Sequence, residues 1–234
     1  MPYPNCLEVN QDHPFYDQLE RLVKFHNGLI VPGKRQMVRD SSDPVIGEVN
    51  RLVIIFHLGK LRLKRLLEAS ILLADSENSY GLAQSVRALM ENAGWLGHAL
   101  HVTRNWPPVT EVPSLERLIT GSKLESLNEN PGEQSINVLT CLPNAERVLA
   151  DLLLDEVSLE LDDFYKVQSE YVHPNFDSHF SEAECDNQAS QLIYSEEQRE
   201  KTLSKLIAHL TLAIFANEQL MKAGESKIRE LTKS

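Results

Sequence analysis

Five polar side chains share one face of a helix predicted at residues 79–104. At 100° per residue they lie within an arc of about 80°; they are Tyr80, Arg87, Glu91, His98 and His101. Arg87 and Glu91 have the i,i+4 spacing of an ion pair. On a solvated face such a pair contributes about 0.3 to 0.5 kcal/mol, whereas losing one partner of a buried pair costs about 3 to 5 kcal/mol. Because apolar or small residues occupy the other sides of this helix, we predict that the pair is mostly buried and hydrogen-bonded.

A second group of reactive side chains lies in the stretch "SEYVHPNFDSHF" at residues 169–180. His173 precedes Pro174, and a residue before proline is pushed out of the α region, so a helix should end there. An imidazole in a last turn is favoured by the helix dipole, which gives His173 a purely structural role as one alternative. The other alternative is a site, since Tyr165 and Ser169 lie on the same side of the helix and Tyr171 is close in sequence.

Histidine spacing also permits a metal site. His98 and His101 are one helical turn apart, and imidazoles with that spacing can share an ion with His173, His179 or a carboxylate. No H-E-x-x-H or E-x-x-H motif accompanies them. The metal-dependent alternative therefore ranks third among the functions considered.

Charge and composition limit the classes of function. The chain has 234 residues, 42% of them hydrophobic, and a net charge of −11. This charge argues against broad binding to DNA, which depends on neutralising many phosphates. Positive charge is concentrated at residues 34–65, including "KLRLKR" at residues 60–65. Such runs are usually solvated faces, and in the RNase alternative this one is a predicted approach for RNA. Three widely spaced cysteines, no export signal and no membrane-spanning stretch predict a protein of the cytoplasm without membrane contact.

Proline and glycine divide the chain into helices. No proline occurs at residues 45–106 or from residue 175 onward, and apolar residues there recur every three or four positions. Helices are predicted at 15–27, from an Asp43-Pro44 start to about 74 with a bend near Gly59, at 79–104, 113–120, 144–154 and 158–173, and from a capping box at Ser195 and Gln198 onward. We therefore predict an all-α protein with one domain at 1–234, a bundle of five to seven helices without a sheet. Residues 1–43 form its N-terminal helix and loop.

The order and spacing of two motifs resemble a known group of proteins. The segment "RALME" on one helix is followed far downstream by "YKVQSEYVHPNF". This arrangement resembles a bacterial helical-bundle family of unknown function with R-x-x-x-E and S-x-x-x-H-P motifs, over about residues 45–221. That family is similar in layout to the HEPN superfamily. Active HEPN members are dimeric, metal-independent RNases, commonly toxins or antiphage effectors, with an R-N-x-x-x-H motif near a helix end.

The resemblance implies an HEPN-like bundle and two sets of site residues. The implied catalytic residues are Arg87, Glu91 and His173, and the implied substrate-binding residues are Ser169, Tyr165, Tyr171 and His98. Histidine suits RNA cleavage because its pKa lies near the working pH, and an arginine stabilises charge on the phosphate. The resemblance implies no cofactor and no metal, with RNA and a second copy or a partner protein as the partners.

One departure from the HEPN motif matters. Gln168 stands where the motif has arginine, and only His173 keeps the catalytic type, so Arg87 on the neighbouring helix is the candidate for the missing cation. The looser Arg-to-His spacing also occurs at Arg21 and His26 and at Arg51 and His57, and both are discounted because chance alone predicts about one such hit in this composition. Two other classes of function stay open: a non-catalytic module that binds a protein or ligand, nearly level with the RNase, and the metal-dependent enzyme.

Overall fold

The computed structural model describes residues 7–37, 44–104, 113–121, 134–153, 159–173, 181–186 and 191–233. Within these ranges the helices are α1 Tyr16–Gly28, α2 Pro44–Asp75, α3 Ser79–Val102, α4 Pro113–Thr120, α5 Val138–Leu152, α6 Leu161–Val172 and α7 Glu196–Leu231. Two short strands, β1 Ala183–Asp186 and β2 Gln191–Tyr194, form an antiparallel hairpin. No helix in the described ranges is both long and apolar enough to cross a bilayer. The all-α bundle is confirmed, and the hairpin is its one unpredicted addition in these ranges.

Several helix boundaries agree with the local signals in the sequence. Helix α3 ends within two residues of its predicted end, α4 has the predicted bounds, and α2 is one continuous helix through Gly59. At the start of α7 the backbone N–H of Gln198 donates to the Ser195 hydroxyl at 3.2 Å, which confirms half of the predicted capping box. The predicted cap at Asp43 lies outside the described residues.

The predicted start of α5 was wrong. We predicted a helix from Asn144, whereas α5 begins at Val138 and includes Pro143. Asn137 caps this start, since its side-chain oxygen accepts from the Leu139 N–H at 3.0 Å. Proline removes only one backbone donor, and the cap and the burial of Leu142 offset that loss. Pro143 was wrongly taken as a residue that excludes the helix before it.

Helix α6 ends at the proposed site. Its last residue is Val172, and the His173 N–H still donates to the Ser169 carbonyl at 3.0 Å. His173 is therefore the residue that terminates α6, as predicted. Pro174, which motivated that prediction, and Ser158, the predicted start, lie outside the described residues.

The chain divides into two compact units. The first comprises Met1–Ile30, Leu63–Leu89 and Asp163–Ile214, and the second comprises Val31–Arg62, Met90–Asp162 and Phe215–Ser234. Helices α2, α3 and α7 each contribute one segment to both units. The single-domain assignment stays a prediction.

Helix α3 is buried on nearly all sides. Every residue of α3 is described, and only Tyr80 and Gln84 are exposed. Its apolar side chains, such as Leu82, Leu89 and Leu96, have no exposed surface. The expectation that the protein covers this helix nearly all round is confirmed. Its polar side chains must therefore find partners within the protein.

Small residues allow α3 and α5 to pack closely in the second unit. A Cβ atom added to Gly97 would lie 2.3 Å from the Ala145 Cβ and 2.4 Å from its Cα, so only glycine fits there. One turn earlier, a Cβ on Gly94 would lie 3.4 Å from the Cβ of Cys141. Burial raises the pKa of the Cys141 thiol to about 11. The contact thus brings two helix backbones together over a protonated, enclosed thiol.

Substituting Gly97→Ala should destabilise the protein by more than about 1 kcal/mol, because the new methyl group overlaps the α5 backbone and the helices must separate. Gly47→Ala is the matched control, since this helical glycine has only ordinary contact, 3.6 Å from an Arg51 side-chain nitrogen. The control should gain up to about 1 kcal/mol from helix propensity. Urea unfolding measures both variants. Equal stability of the two would contradict the close contact.

Candidate functional site

Arg87 is bound to α6 through Tyr165 in the first unit. Its Nη2 donates to the Tyr165 hydroxyl at 2.8 Å, and its guanidinium carbon lies 5.0 Å from the centre of the tyrosine ring. Tyr165 is 6% exposed, whereas Arg87 is half-buried. A guanidinium in this position gains from both the hydrogen bond and the ring quadrupole. The structure thus brings two of the predicted site residues together.

The face of α6 that carries Tyr165 also carries Ser169 and His173. These residues are spaced i, i+4 and i+8, which on an α-helix places each about 40° from the previous one. The Ser169 hydroxyl donates to the Tyr165 carbonyl at 2.9 Å, so its proton is already committed to the helix. His173 is exposed at the helix end. Along this face, α6 carries Tyr165, which holds Arg87 of α3, then the Ser169 hydroxyl and then the accessible imidazole of His173.

Tyr80 fixes the end of α6 to the start of α3. Its hydroxyl donates to the Val172 carbonyl at 3.1 Å, although the Tyr80 side chain remains 47% exposed. This bond satisfies one of the last carbonyl groups of α6, which have no partner inside the helix. Tyr80 is one of the five polar residues that the sequence placed on one face of α3. It is therefore a structural anchor next to His173.

An adjacent face of α6 contains a pair that the sequence analysis missed. Gln168 is fully buried, and its amide nitrogen lies 2.5 Å from Nδ1 of His209 on α7. The Phe164 ring packs edge-on against the same imidazole, with centroids 4.9 Å apart. Burial, and then the charge of Lys205, lowers the pKa of His209. A histidine within the apolar run of α7 was the available signal.

Tyr171 lies on this same side of α6. The ammonium of Lys205 is 5.4 Å from the centre of its ring, a cation–π contact at a half-buried position. A predicted base-stacking residue is therefore already in contact with a cation from α7. Tyr171 and Tyr165 lie on different faces of α6, so they cannot contact the same base from one side of the helix.

Glu91 and His98 belong to the second unit. Glu91 pairs with Arg62 at 3.6 Å, and its side chain is 33% exposed. The exposure of Glu91 is therefore intermediate between that of a solvated ion pair and that of a buried one. His98 is buried, and its Nδ1 lies 2.8 Å from the side-chain nitrogen of Asn144. Its described hydrogen-bond partner is thus an amide on α5.

The basic stretch at residues 60–65 is largely paired with carboxylates. Besides the Arg62 pair, Lys60 contacts Glu225 at 3.1 Å and Arg65 contacts Glu68 at 3.0 Å. Lys64 donates to the Leu29 carbonyl and has no carboxylate among its described partners. Ion pairing reduces the attraction of this stretch for phosphate, which relies on charges that are not neutralised.

The predicted metal ligands do not form a cluster in the described ranges. Nowhere in these ranges do three or more His, Cys, Asp or Glu side chains meet in an arrangement that could hold a metal ion. His179, one of the four predicted ligands, lies outside the described residues. One ring nitrogen of His98 is occupied by the Asn144 amide. The metal hypothesis thus has no set of ligands in this part of the chain.

Substituting Arg87→Ala should lower the free energy of unfolding by about 1 to 3 kcal/mol, because it leaves the buried Tyr165 hydroxyl without its donor and removes the cation–π contact. Lys166→Ala is the control on the same α6 helix. Its ion pair with Asp163 is largely exposed, at 62% and 67%, so it should change stability by less than about 1 kcal/mol. Urea titration compares the variants. An equal effect of the two would mean that Arg87 is a surface residue.

The lowered pKa of His209 predicts a pH dependence of stability. In the unfolded chain this histidine titrates near 6.5, so below that pH the unfolded state binds more protons than the folded one. The free energy of unfolding should therefore fall as pH falls from 6.5 toward the folded pKa. His209→Gln should reduce this slope, and Lys205→Met should raise the pKa of His209 in an NMR titration. A folded pKa above 6.5 would contradict the burial of the ring.

Comparison with known proteins adds no relative to these observations. Neither protein-family models, nor curated proteins, nor solved structures give a significant match to this chain. The motif resemblance to the HEPN layout therefore stays a prediction, and the functional argument rests on the residues and contacts of this chain.

Proposed function

We propose that this protein is an HEPN-like, metal-independent endoribonuclease of the toxin or antiphage type that acts as a homodimer. The observation that carries the proposal is the contact between Arg87 and Tyr165. It holds a guanidinium against the face of α6 that ends in the exposed His173. The motif resemblance supplies the reaction, and this contact supplies a cation that the motif position itself lacks.

The proposed chemistry needs one group that transfers protons and one that stabilises charge. The ribose 2′-hydroxyl attacks the adjacent phosphate, a base removes its proton, and the 5′-oxygen leaves with a proton. His173 performs a proton transfer, the role that histidine takes most often in general acid–base catalysis. Arg87 stabilises the negative charge that develops on the phosphate oxygens.

The remaining α6 residues fit substrate binding in this proposal. Ser169 retains its hydroxyl oxygen as an acceptor, because its proton is donated to the Tyr165 carbonyl. Tyr171 offers a ring for stacking on a base, the interaction by which proteins most often hold single-stranded RNA.

A second function is favoured by Gln168. This residue stands at the motif arginine position, is neutral and fully buried, and is bonded to His209, so it cannot contact a phosphate. A non-catalytic helical module that binds a protein or ligand would keep such a packed glutamine without penalty. The two proposals differ in one observable, which is whether the protein cuts RNA.

We expect purified protein to cut single-stranded RNA, tRNA or mRNA into fragments that end in 2′,3′-cyclic phosphate. Such ends follow from internal 2′-hydroxyl attack, which needs no metal-bound water, so activity should survive EDTA. His173→Ala should abolish cleavage and keep the thermal stability of the parent within the capping energy of one residue, about 2 kcal/mol. Gel analysis of end-labelled RNA and a thermal melt provide the two readouts.

His57→Ala is the control for this experiment. His57 shares the loose Arg-to-His spacing with Arg51 but lies on α2, so its loss should leave cleavage unchanged. Cleavage that persists in His173→Ala would remove this residue from the mechanism. Intact RNA with the parent protein, together with no toxicity on overexpression, would favour the binding module. Cleavage that EDTA stops would revive the metal hypothesis.

A further inference from the structure

A directional chain of hydrogen bonds ends at His98 in the second unit. Arg147 Nη1 on α5 donates to Oδ1 of Asn144 at 3.3 Å, and the side-chain nitrogen of Asn144 lies 2.8 Å from Nδ1 of His98. Arginine can only donate, so the Asn144 atom that faces it must be the oxygen. The amide nitrogen therefore faces the imidazole and donates to it. The arginine thus fixes the orientation of the amide.

This orientation also fixes the tautomer of His98. Nδ1 accepts the Asn144 proton, so the ring proton of the neutral imidazole is on Nε2. His98 is 6% exposed, and Nε2 is closed to solvent and has no hydrogen-bond partner among the described residues. A buried N–H donor without an acceptor is costly, and folded proteins seldom keep one. The chain of bonds thus ends in a donor that lacks its acceptor.

The charges around this donor are mainly positive. Burial, then His101 and then Arg117 lower the pKa of His98. Burial, Arg147 and Arg104 lower the pKa of His101, whereas Asp151 raises it. Asp151 is itself paired with Arg104 at 2.6 Å. In a chain of net charge −11 this is a local excess of arginine, which favours an anionic acceptor over a neutral one.

We propose that His98 Nε2–H donates to an anionic oxygen of a small bound ligand, a carboxylate or a phosphate group, with Arg117 supplying the opposite charge. Because no solvent reaches Nε2, the ligand enters through a local opening around His98. The site is independent of the proposed RNase chemistry, which uses Arg87 and His173. The site would also give a function to the hydrogen-bond chain that runs from Arg147 through Asn144 to His98. The arginine at the start of this chain polarises it and strengthens each donor that follows.

The first test follows the imidazole itself by NMR. Uniformly ¹⁵N-labelled full-length protein is titrated with inorganic phosphate, adenosine monophosphate or acetate, against sodium chloride at equal ionic strength. We expect His98 to show a protonated Nε2 before addition and a saturable shift with at least one oxyanion but not with chloride. The three arms distinguish a free phosphate, a nucleotide phosphate and a carboxylate. No shift with any of them overturns the proposal.

Two substitutions test the residues of the site. Arg117→Gln should weaken binding of the responding oxyanion about tenfold or more, the loss expected for one charge-assisted interaction. Asn144→Asp should abolish binding, because a carboxylate draws the ring proton to Nδ1 and repels the ligand. Arg229→Gln, on the exposed end of α7, is the control and should bind as the parent does. Unchanged affinity in Arg117→Gln overturns the proposal even if Asn144→Asp does not fold.

Discussion

The burial of α3 is the constraint on which the other features depend. A polar group without water must find a partner inside the protein or destabilise it. Four of the buried or half-buried polar residues of this helix bond to a neighbour: Arg87 to Tyr165, Asn92 to Asn217 and the Gly59 carbonyl, Trp95 to the Leu118 carbonyl, and His98 to Asn144. The anchoring of Arg87 and the proposed anion site both follow from this requirement. Their positions follow from the polar residues that α3 carries.

Local sequence signals were sufficient for most of the fold. Helical periodicity and proline-free spans predicted α3, and the Ser195 and Gln198 pattern predicted the start of α7. The start of α5 failed because a proline in the first turns was read as a boundary, although the Asn137 cap tolerates it. The hairpin was not predicted because four-residue strands are too short to show a clear alternation of apolar and polar residues.

The candidate site was less accessible to sequence reasoning because its contacts are long-range. Spacing placed Arg87, His98 and His101 on one face of α3, but it could not supply Tyr165, His209 or Asn144, which come from other helices. The same limit applies to Glu91. Its described partner, Arg62, belongs to a stretch that the sequence suggested only as an approach for RNA. Motif spacing identifies which residues share a helix, and packing decides which of them meet.

The reactivity of the enclosed Cys141 thiol between α3 and α5 can report the motion of these helices. Only a thiolate reacts readily with alkylating reagents, and Cys141 is both 3% exposed and held protonated by its surroundings. A reagent can therefore label it only in molecules where α5 has moved away from Gly94. The labelling rate at a fixed pH would report how often that part of the protein opens. A thermal melt does not detect this local opening, because it follows global unfolding. A ligand of His98 requires an opening close to the same pair of helices. The labelling rate of Cys141 would therefore also report the frequency of that opening.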